Sequence, residues 1–220
     1  MKTLVIAPHP DDETLGCGGA LFAHLSQGHE TYWLICTSIS EGDGWPKGTV
    51  DRRGQEIAKI KDLYCFSGVF QLNLPPTKVD QEPLSSLVQM IGDVYETVKP
   101  EVVYVPYGSD VHTDHRRIAE ALGSTLKWFR YPHIRKVMMY ETPSETEFNF
   151  LTPSCFKPNV FVDISNHLDQ KIEAMKIYES EIGEFPFPRS EETLRALAAL
   201  RGSQCGCNSA EGFQLVYEKL

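Results

Sequence analysis

The sequence predicts an α/β fold built as one mostly parallel sheet with helices on both faces. Three observations lead there. Short apolar runs at 2–7 (KTLVIA), 31–38 (TYWLICTS) and 102–106 (VVYVP) read as strands buried on both sides rather than half-exposed ones. Between them lie stretches with helical spacing, clearest from Leu84 to Val98, where apolar residues fall at 84, 87, 88, 91, 94, 95 and 98. The connections are short, and strand–helix alternation continues to at least residue 140, as right-handed βαβ units require.

Taken in order, strand 2–7 is followed by a helix from about Leu15 to Gln27, which Gly28 ends. After strand 31–38, the Gly- and Pro-rich SEGDGWPKG (40–48) predicts a loop, and a second helix runs from about Asp51 to Leu63. A brief strand near Val69–Leu72 leads into the loop NLPPTKVDQEP (73–83), and the helix Leu84 to Val98 stops at Lys99-Pro100. Strand 102–106 delivers YGSDVHTDHRR, a helix spans about Asp114 to Phe129, and Lys136 to Tyr140 is a further strand. ETPSETEFNFLTP (141–153) predicts an irregular polar loop, Val160–Val162 a strand, and Ser165 to Glu181 a helix with Ser165 as its N-cap. PFPRS (186–190) interrupts the chain before a Leu/Ala-rich helix at Glu191 to Arg201, and Phe213 to Tyr217 reads as a last short strand or helix. No repeat, low-complexity tract or linker divides the chain, so residues 1–220 form a single domain.

A net charge of −9 with 41% apolar and 23% charged residues describes an ordinary globular protein and argues against broad binding to nucleic acid or anionic membrane. No run approaches the roughly 20 apolar residues of a membrane helix, and the start lacks a signal-peptide core, so the expected location is cytoplasmic. The six cysteines (17, 36, 65, 155, 205, 207) follow no disulfide framework and are expected as buried thiols in a reducing compartment. Cys205-Gly-Cys207 has one intervening residue, short of the two to four of a zinc hook.

Chemistry concentrates in two segments. His9, Asp11, Asp12 and Glu13 directly follow the first strand, and Asp110, His112, Asp114 and His115 directly follow the strand VVYVP. In a parallel sheet all strand carboxyl ends share one rim, where open α/β sheets bind ligands. The two clusters can therefore converge, and carboxylates crowded so closely need either solvent or a cation to offset their repulsion; the donor types favour a cation. Zinc accepts imidazole nitrogen and carboxylate oxygen, and a catalytic zinc keeps one position open for water. Side chains at 9 and 12 can face one point across a tight turn, leaving Asp11 beside them as a base for that water. Helix capping by Asp11 or Asp12 is the bland alternative, and it fits one cluster better than it fits two. The same nitrogen and oxygen donors also accept ferrous iron.

APHPDDETLGCGG together with HTDH resembles the LmbE-like, or PIG-L, de-N-acetylase family, whose signature pairs an (A/P)HPDDE segment after the first strand with a later HxDH segment. Arg53-x-x-Glu56, KPEVVYVP, YETPSET and RG…AEGF extend the likeness over nearly the whole chain. The resemblance implies a Rossmann-like fold, with His9, Asp12 and His115 as zinc ligands and Asp11 as general base. It implies that His112, protonated, stabilises the oxyanion or protonates the leaving amine, and that Asp114 orients a site histidine. Arg53 and, more weakly, Asp80 match positions that touch the sugar, although Arg53 can equally pair with Glu56 on its own helix. The implied reaction is hydrolysis of an N-acetyl group from a GlcNAc-type amino sugar, in a family whose members are often homo-oligomers. Amide cleavage in a thiol conjugate or another N-acylated metabolite is the alternative on the same metal chemistry.

Secondary features read more plainly. Glu13 is expected to secure the helix start, and Gly16, Gly18 and Gly19 to let the first helix pack closely, since GCGG lacks both phosphate-binding fingerprints. Asp110 is expected to hold its loop, Trp45 to wall the pocket, and His24, His29, His133 and His167 to lie on the surface. Substrate identity is expected to reside in loops 40–50, 73–83, 141–158 and 183–190.

Overall fold

The computed structural model of the protein describes residues 1–151 and 154–220, so the last two residues of the predicted 141–153 loop lie outside the described residues. Strands β1 (Lys2–Ala7), β2 (Glu30–Thr37), β3 (Gly68–Leu74), β4 (Val102–Pro106), β5 (Lys136–Tyr140), β6 (Val160–Asp163) and β7 (Ala210–Glu218) form one sheet in the order β3-β2-β1-β4-β5-β7-β6. The pairs β1/β2, β1/β4, β2/β3 and β4/β5 are parallel, and β7 runs antiparallel to both β5 and β6.

Alternation along β1 shows how the sheet is buried on both sides. Val5 and Ala7 face helices α1 (Asp12–Ser26), α2 (Lys47–Leu63), α5 (Leu168–Ile177) and α6 (Glu191–Cys205). Leu4 and Ile6 face α3 (Leu84–Val98) and α4 (Thr113–Thr125). Strand order reverses between β1 and β4, which makes their carboxyl ends the topological switch point. Among the described residues no helix is long and apolar enough to cross a membrane.

The glycines of α1 serve packing. A Cβ on Gly19 would lie 2.5 Å from Ile164, one on Gly18 would lie 2.7 Å from the Tyr64 hydroxyl, and one on Gly16 would strike the Tyr140 ring. Several boundaries differ from the sequence expectation. α1 begins at Asp12 rather than Leu15, because acids are favoured beside the helix's positive end. α2 begins at Lys47, directly after Pro46, whose ring presets φ for a helix start. α4 ends at Thr125, and a turn carries the chain on towards β5. Ser165 does not cap α5, since its N–H and hydroxyl both bond Asp163 Oδ1, and the helix starts at Leu168. The last segment is a nine-residue strand. All six cysteines are free, yet only Cys17 and Cys36 are buried, which corrects the expectation of buried thiols.

Candidate metal centre

The loop leaving β1 is pinned before any ligand is considered. The Pro8 carbonyl accepts the Thr37 N–H at 3.0 Å and the Thr37 hydroxyl at 2.8 Å. Asp11 then takes φ 146°, a conformation non-glycine residues rarely adopt, which stores on the order of 1–3 kcal/mol of strain. Its neighbours hold it there. Asp11 N–H donates to Glu13 Oε2 at 3.0 Å, and the Asp11 carbonyl accepts the N–H groups of Thr14 and Leu15. Glu13 Oε1 accepts the hydroxyls of Thr14 and Tyr178, both at 2.7 Å, so this acid secures the turn and is turned away from the rim. Burial pushes the Glu13 carboxyl up to about 7.

Three donor atoms meet where the β1 and β4 loops converge. Asp12 Oδ2 lies 3.4 Å from His9 Nδ1 and 3.2 Å from His115 Nε2. Each ring is oriented through its other nitrogen, His9 Nε2 on Asp114 Oδ2 at 3.0 Å and His115 Nδ1 on Asp110 Oδ2 at 2.8 Å. Carboxylate–histidine pairs of this kind characterise metal ligands. The orienting acids are held in turn. Asp114 accepts the N–H groups of Thr77 at 2.7 Å and Val79 at 3.3 Å, and Asp110 Oδ1 accepts the Thr146 hydroxyl at 2.6 Å.

A second group, His9, His112 and Asp114, also lies close enough to hold an ion. Asp114 there already accepts three hydrogen bonds, and His112 Nδ1 accepts the Asp114 N–H at 3.1 Å, which leaves that ring only Nε2. The group His9, Asp12 and His115 offers a cation two imidazoles and one carboxylate, and of the three His9 lines the cavity.

The charge pattern fits as well. Burial lowers His9 and His115, but hydrogen bonds and charge from Asp114, Asp12 and Asp110 outweigh it and raise them to about 9 and about 10. Protons occupy the place a cation would take. Burial also raises Asp114, yet its bonds from His9 and Thr77 bring it below the ordinary carboxylate range. Asp11 is pushed up to about 8 by burial and by the Asp12 charge, against the pull of Arg189.

His112 caps α4, and because Nδ1 is an acceptor there, the neutral ring carries its proton on Nε2. Burial, then the charges of His9 and His115, lower it to about 4. Without a metal the ring is a neutral N–H donor, where the sequence resemblance implies a protonated one.

A cavity of about 450 Å3 adjoins these groups, lined by His9, Asp11 and His112 and also by Trp45, Pro75 and Pro76. Arg53 lines it too, donating to the Pro10 carbonyl at 3.0 Å and to Glu181 at 2.5 Å, and lying 3.3 Å from Glu56. Asp80 does not line it: it is exposed on a short 3₁₀ turn, while Thr77 and Lys78 before it face the cavity. His24 is half-buried between His29 and the Tyr104 hydroxyl rather than free on the surface. Sequence reasoning missed Arg189, which donates to Asp11 Oδ2 at 2.7 Å, and it read Asp110 as a loop brace rather than the partner of His115. The spacing Asp110–His115, one carboxylate five residues before a candidate ligand histidine, was a usable signal; Arg189 offered none.

The sequence profile of the PIG-L family, described as GlcNAc-PI de-N-acetylase, matches residues 4–126. The chain is similar to the diacetylchitobiose deacetylase of Thermococcus kodakarensis, with 26% identity over 98% of this chain and 83% of that protein. Its fold resembles a conserved protein of Thermus thermophilus, with TM-score 0.79 and 25% identity over 99% of this chain and 96% of the other. It also resembles a 4-carboxy-2-hydroxymuconate hydratase of Pseudomonas putida, with TM-score 0.75 and 22% identity over 100% of this chain and 98% of the other. That likeness shows the fold alone, and fold does not choose between a hydratase and a deacetylase. The profile, by contrast, takes in more than half of the chain and both converging loops, and by it the chain belongs to the PIG-L, or LmbE-like, family of deacetylases.

Proposed function

We propose that the protein is a metal-dependent N-deacetylase that hydrolyses the acetamide of a GlcNAc-type amino sugar and releases acetate. The observation that carries this reading is the meeting of His9 Nδ1, Asp12 Oδ2 and His115 Nε2 beside a buried carboxyl group, that of Asp11, which lines the cavity. Zinc, or ferrous iron on the same donors, would supply the acidity that brings a water's pKa to about 7 and polarises the acetamide carbonyl.

The residues around it divide the work. Asp11, its pKa raised to about 8, takes the proton of the attacking water. With Nδ1 accepting the Asp114 N–H, His112 has its Nε2–H to donate to the oxygen on which negative charge develops, a contribution usually among the largest in such reactions. Asp11 then returns its proton to the departing nitrogen, so water and amide become acetate and free amine. His112 is less suited to that transfer, because its neutral ring is a weak acid. Trp45, Pro75 and Pro76 give the lining apolar surface suited to a sugar ring, and the cavity falls within the roughly 300–1,000 Å3 of small-molecule sites.

Acetate release should be screened over free, nucleotide-linked and lipid-linked N-acetylglucosamine and diacetylchitobiose, with and without chelator. The expected result is release that chelator abolishes and zinc or ferrous iron restores; chelator-insensitive release, or none from any substrate, overturns the reading. Asp11→Asn should keep its metal by elemental analysis while turnover falls by about two orders of magnitude or more.

A further inference from the structure

Arg189 reaches the site from the segment between α5 and α6, outside the stretch matched by the family profile. Its backbone is fixed at the start of α6, where the fully buried Ser190 caps the helix by accepting the Thr193 N–H. Every nitrogen of its guanidinium is engaged. Nε donates to Ser144 Oγ at 2.8 Å, and Nη1 to Asp11 Oδ2 at 2.7 Å and to Glu181 Oε2 at 3.2 Å. Nη2 donates to Glu145 Oε1 at 3.4 Å. Glu181 in turn binds Arg53, whose other nitrogen holds the carbonyl of Pro10, the residue before Asp11. Asp11 is thus gripped twice, at its side chain through Arg189 and at its preceding peptide through Arg53, while its backbone keeps a strained φ of 146°.

We propose that Arg189 is the positioning residue for the catalytic base: by occupying Asp11 Oδ2 it commits Oδ1 to the attacking water. The inference rests on the deacetylase reading above. A planar guanidinium with four anchored partners fixes a carboxylate in direction as well as distance, which a point charge does not. Catalytic geometry is steep in such displacements, and a shift of about 1 Å can cost about 100-fold in rate.

The test compares Arg189→Ala with wild type on whichever substrate the screen yields. Expected are a kcat lower by about 100-fold, a KM within about threefold, and wild-type metal content. An unchanged kcat, or a loss confined to KM, overturns the proposal, the latter because it marks a substrate contact. If Arg189→Ala does not fold, Arg189→Gln is read by the same criteria. A double-mutant cycle of Arg189→Ala and Asp11→Ala in the urea unfolding constant needs no substrate. Non-additivity of about tenfold or more supports the grip of Arg189 on Asp11, and additivity overturns it. Wild-type protein silent on every substrate would sink the proposed function, while the cycle would still decide whether Arg189 holds Asp11.

Discussion

Two clusters of buried charge share helix α1, and they are built to opposite ends. At the start of the helix, His9, Asp12 and His115 bring three donor atoms together beside Asp11. Midway along, Lys171 and Glu211 close on themselves. Glu211 accepts the N–H groups of Gly19 and Ala20 at 2.9 and 2.7 Å, and Lys171 donates to Glu211 at 2.6 Å and to the Leu15 carbonyl at 2.8 Å. Leu15 carbonyl and Gly19 N–H are the atoms an uninterrupted helix pairs with each other. The ion pair thus reaches both ends of one rung, Lys171 at the carbonyl and Glu211 at the N–H. Asp11, Asp12 and His115 are as buried as Lys171 and Glu211, so burial alone does not separate the clusters. Completeness does: a cluster whose charges and hydrogen bonds balance internally is structural, and one that leaves facing donors calls for a further charge.

The largest effect that could break this contrast comes from the open cluster. His115→Ala removes one donor and leaves Asp110 Oδ2 without its histidine, so bound metal, read by elemental analysis, should fall to background and acetate release with it. Metal retained at the wild-type level would mean that His115 is no ligand. In the closed cluster, Lys171→Met should destabilise the fold by about 3–5 kcal/mol in urea unfolding, because Glu211 is left buried and unpaired. Its activity per folded molecule should stay near wild type. A stable Lys171→Met protein without activity would erase the distinction between the clusters.

Much of the open cluster was legible in the sequence because its parts are local. His9, Asp11 and Asp12 sit on one turn, Asp110 to His115 on another, and the parallel sheet brings the two turns together without further instruction. The closed cluster and the outer layer of the site were not legible. Lys171 and Glu211 meet from α5 and β7, and Arg189 meets Asp11 across 178 positions of sequence. No periodicity records such pairings. The same holds for α5, whose start moved because Ser165 found Asp163 rather than its own helix, a competition among short polar side chains that spacing cannot resolve.

Removing the metal should sharpen the contrast through pH. In the metal-free protein His9 and His115 are raised to about 9 and about 10 from an ordinary 6.5. Groups whose folded pKa is raised stabilise fully below the unfolded value and lose that contribution as pH climbs through the folded one. Asp11, raised to about 8, acts in the same direction. The chelated protein should therefore lose thermal stability as pH goes from about 6.5 to about 10. Saturating zinc should flatten the decline, since the cation replaces the protons. A chelated protein whose melting temperature rises across that window would contradict the charge arrangement of the open cluster.

The smallest effects concern the cavity wall, where sequence and structure point to different acids. Likeness to the family favours Asp80, which is exposed and off the cavity, while Asp43 lines it beside Trp45 with its carboxylate accepting the Ser40 hydroxyl at 2.5 Å. One hydrogen bond to a neutral sugar hydroxyl contributes about 0.5–1.5 kcal/mol, so Asp43→Ala should raise KM by about 2- to 13-fold and leave kcat alone. Asp80→Ala should change neither by more than about twofold. The reverse outcome has a definite structural meaning. Asp80 follows Val79, whose N–H is tied to Asp114, so a substrate contact by Asp80 would require the 73–83 loop to fold inward about that tie. The wall would then be completed only when sugar binds, and the open cluster would be closed by its substrate as well as by its metal.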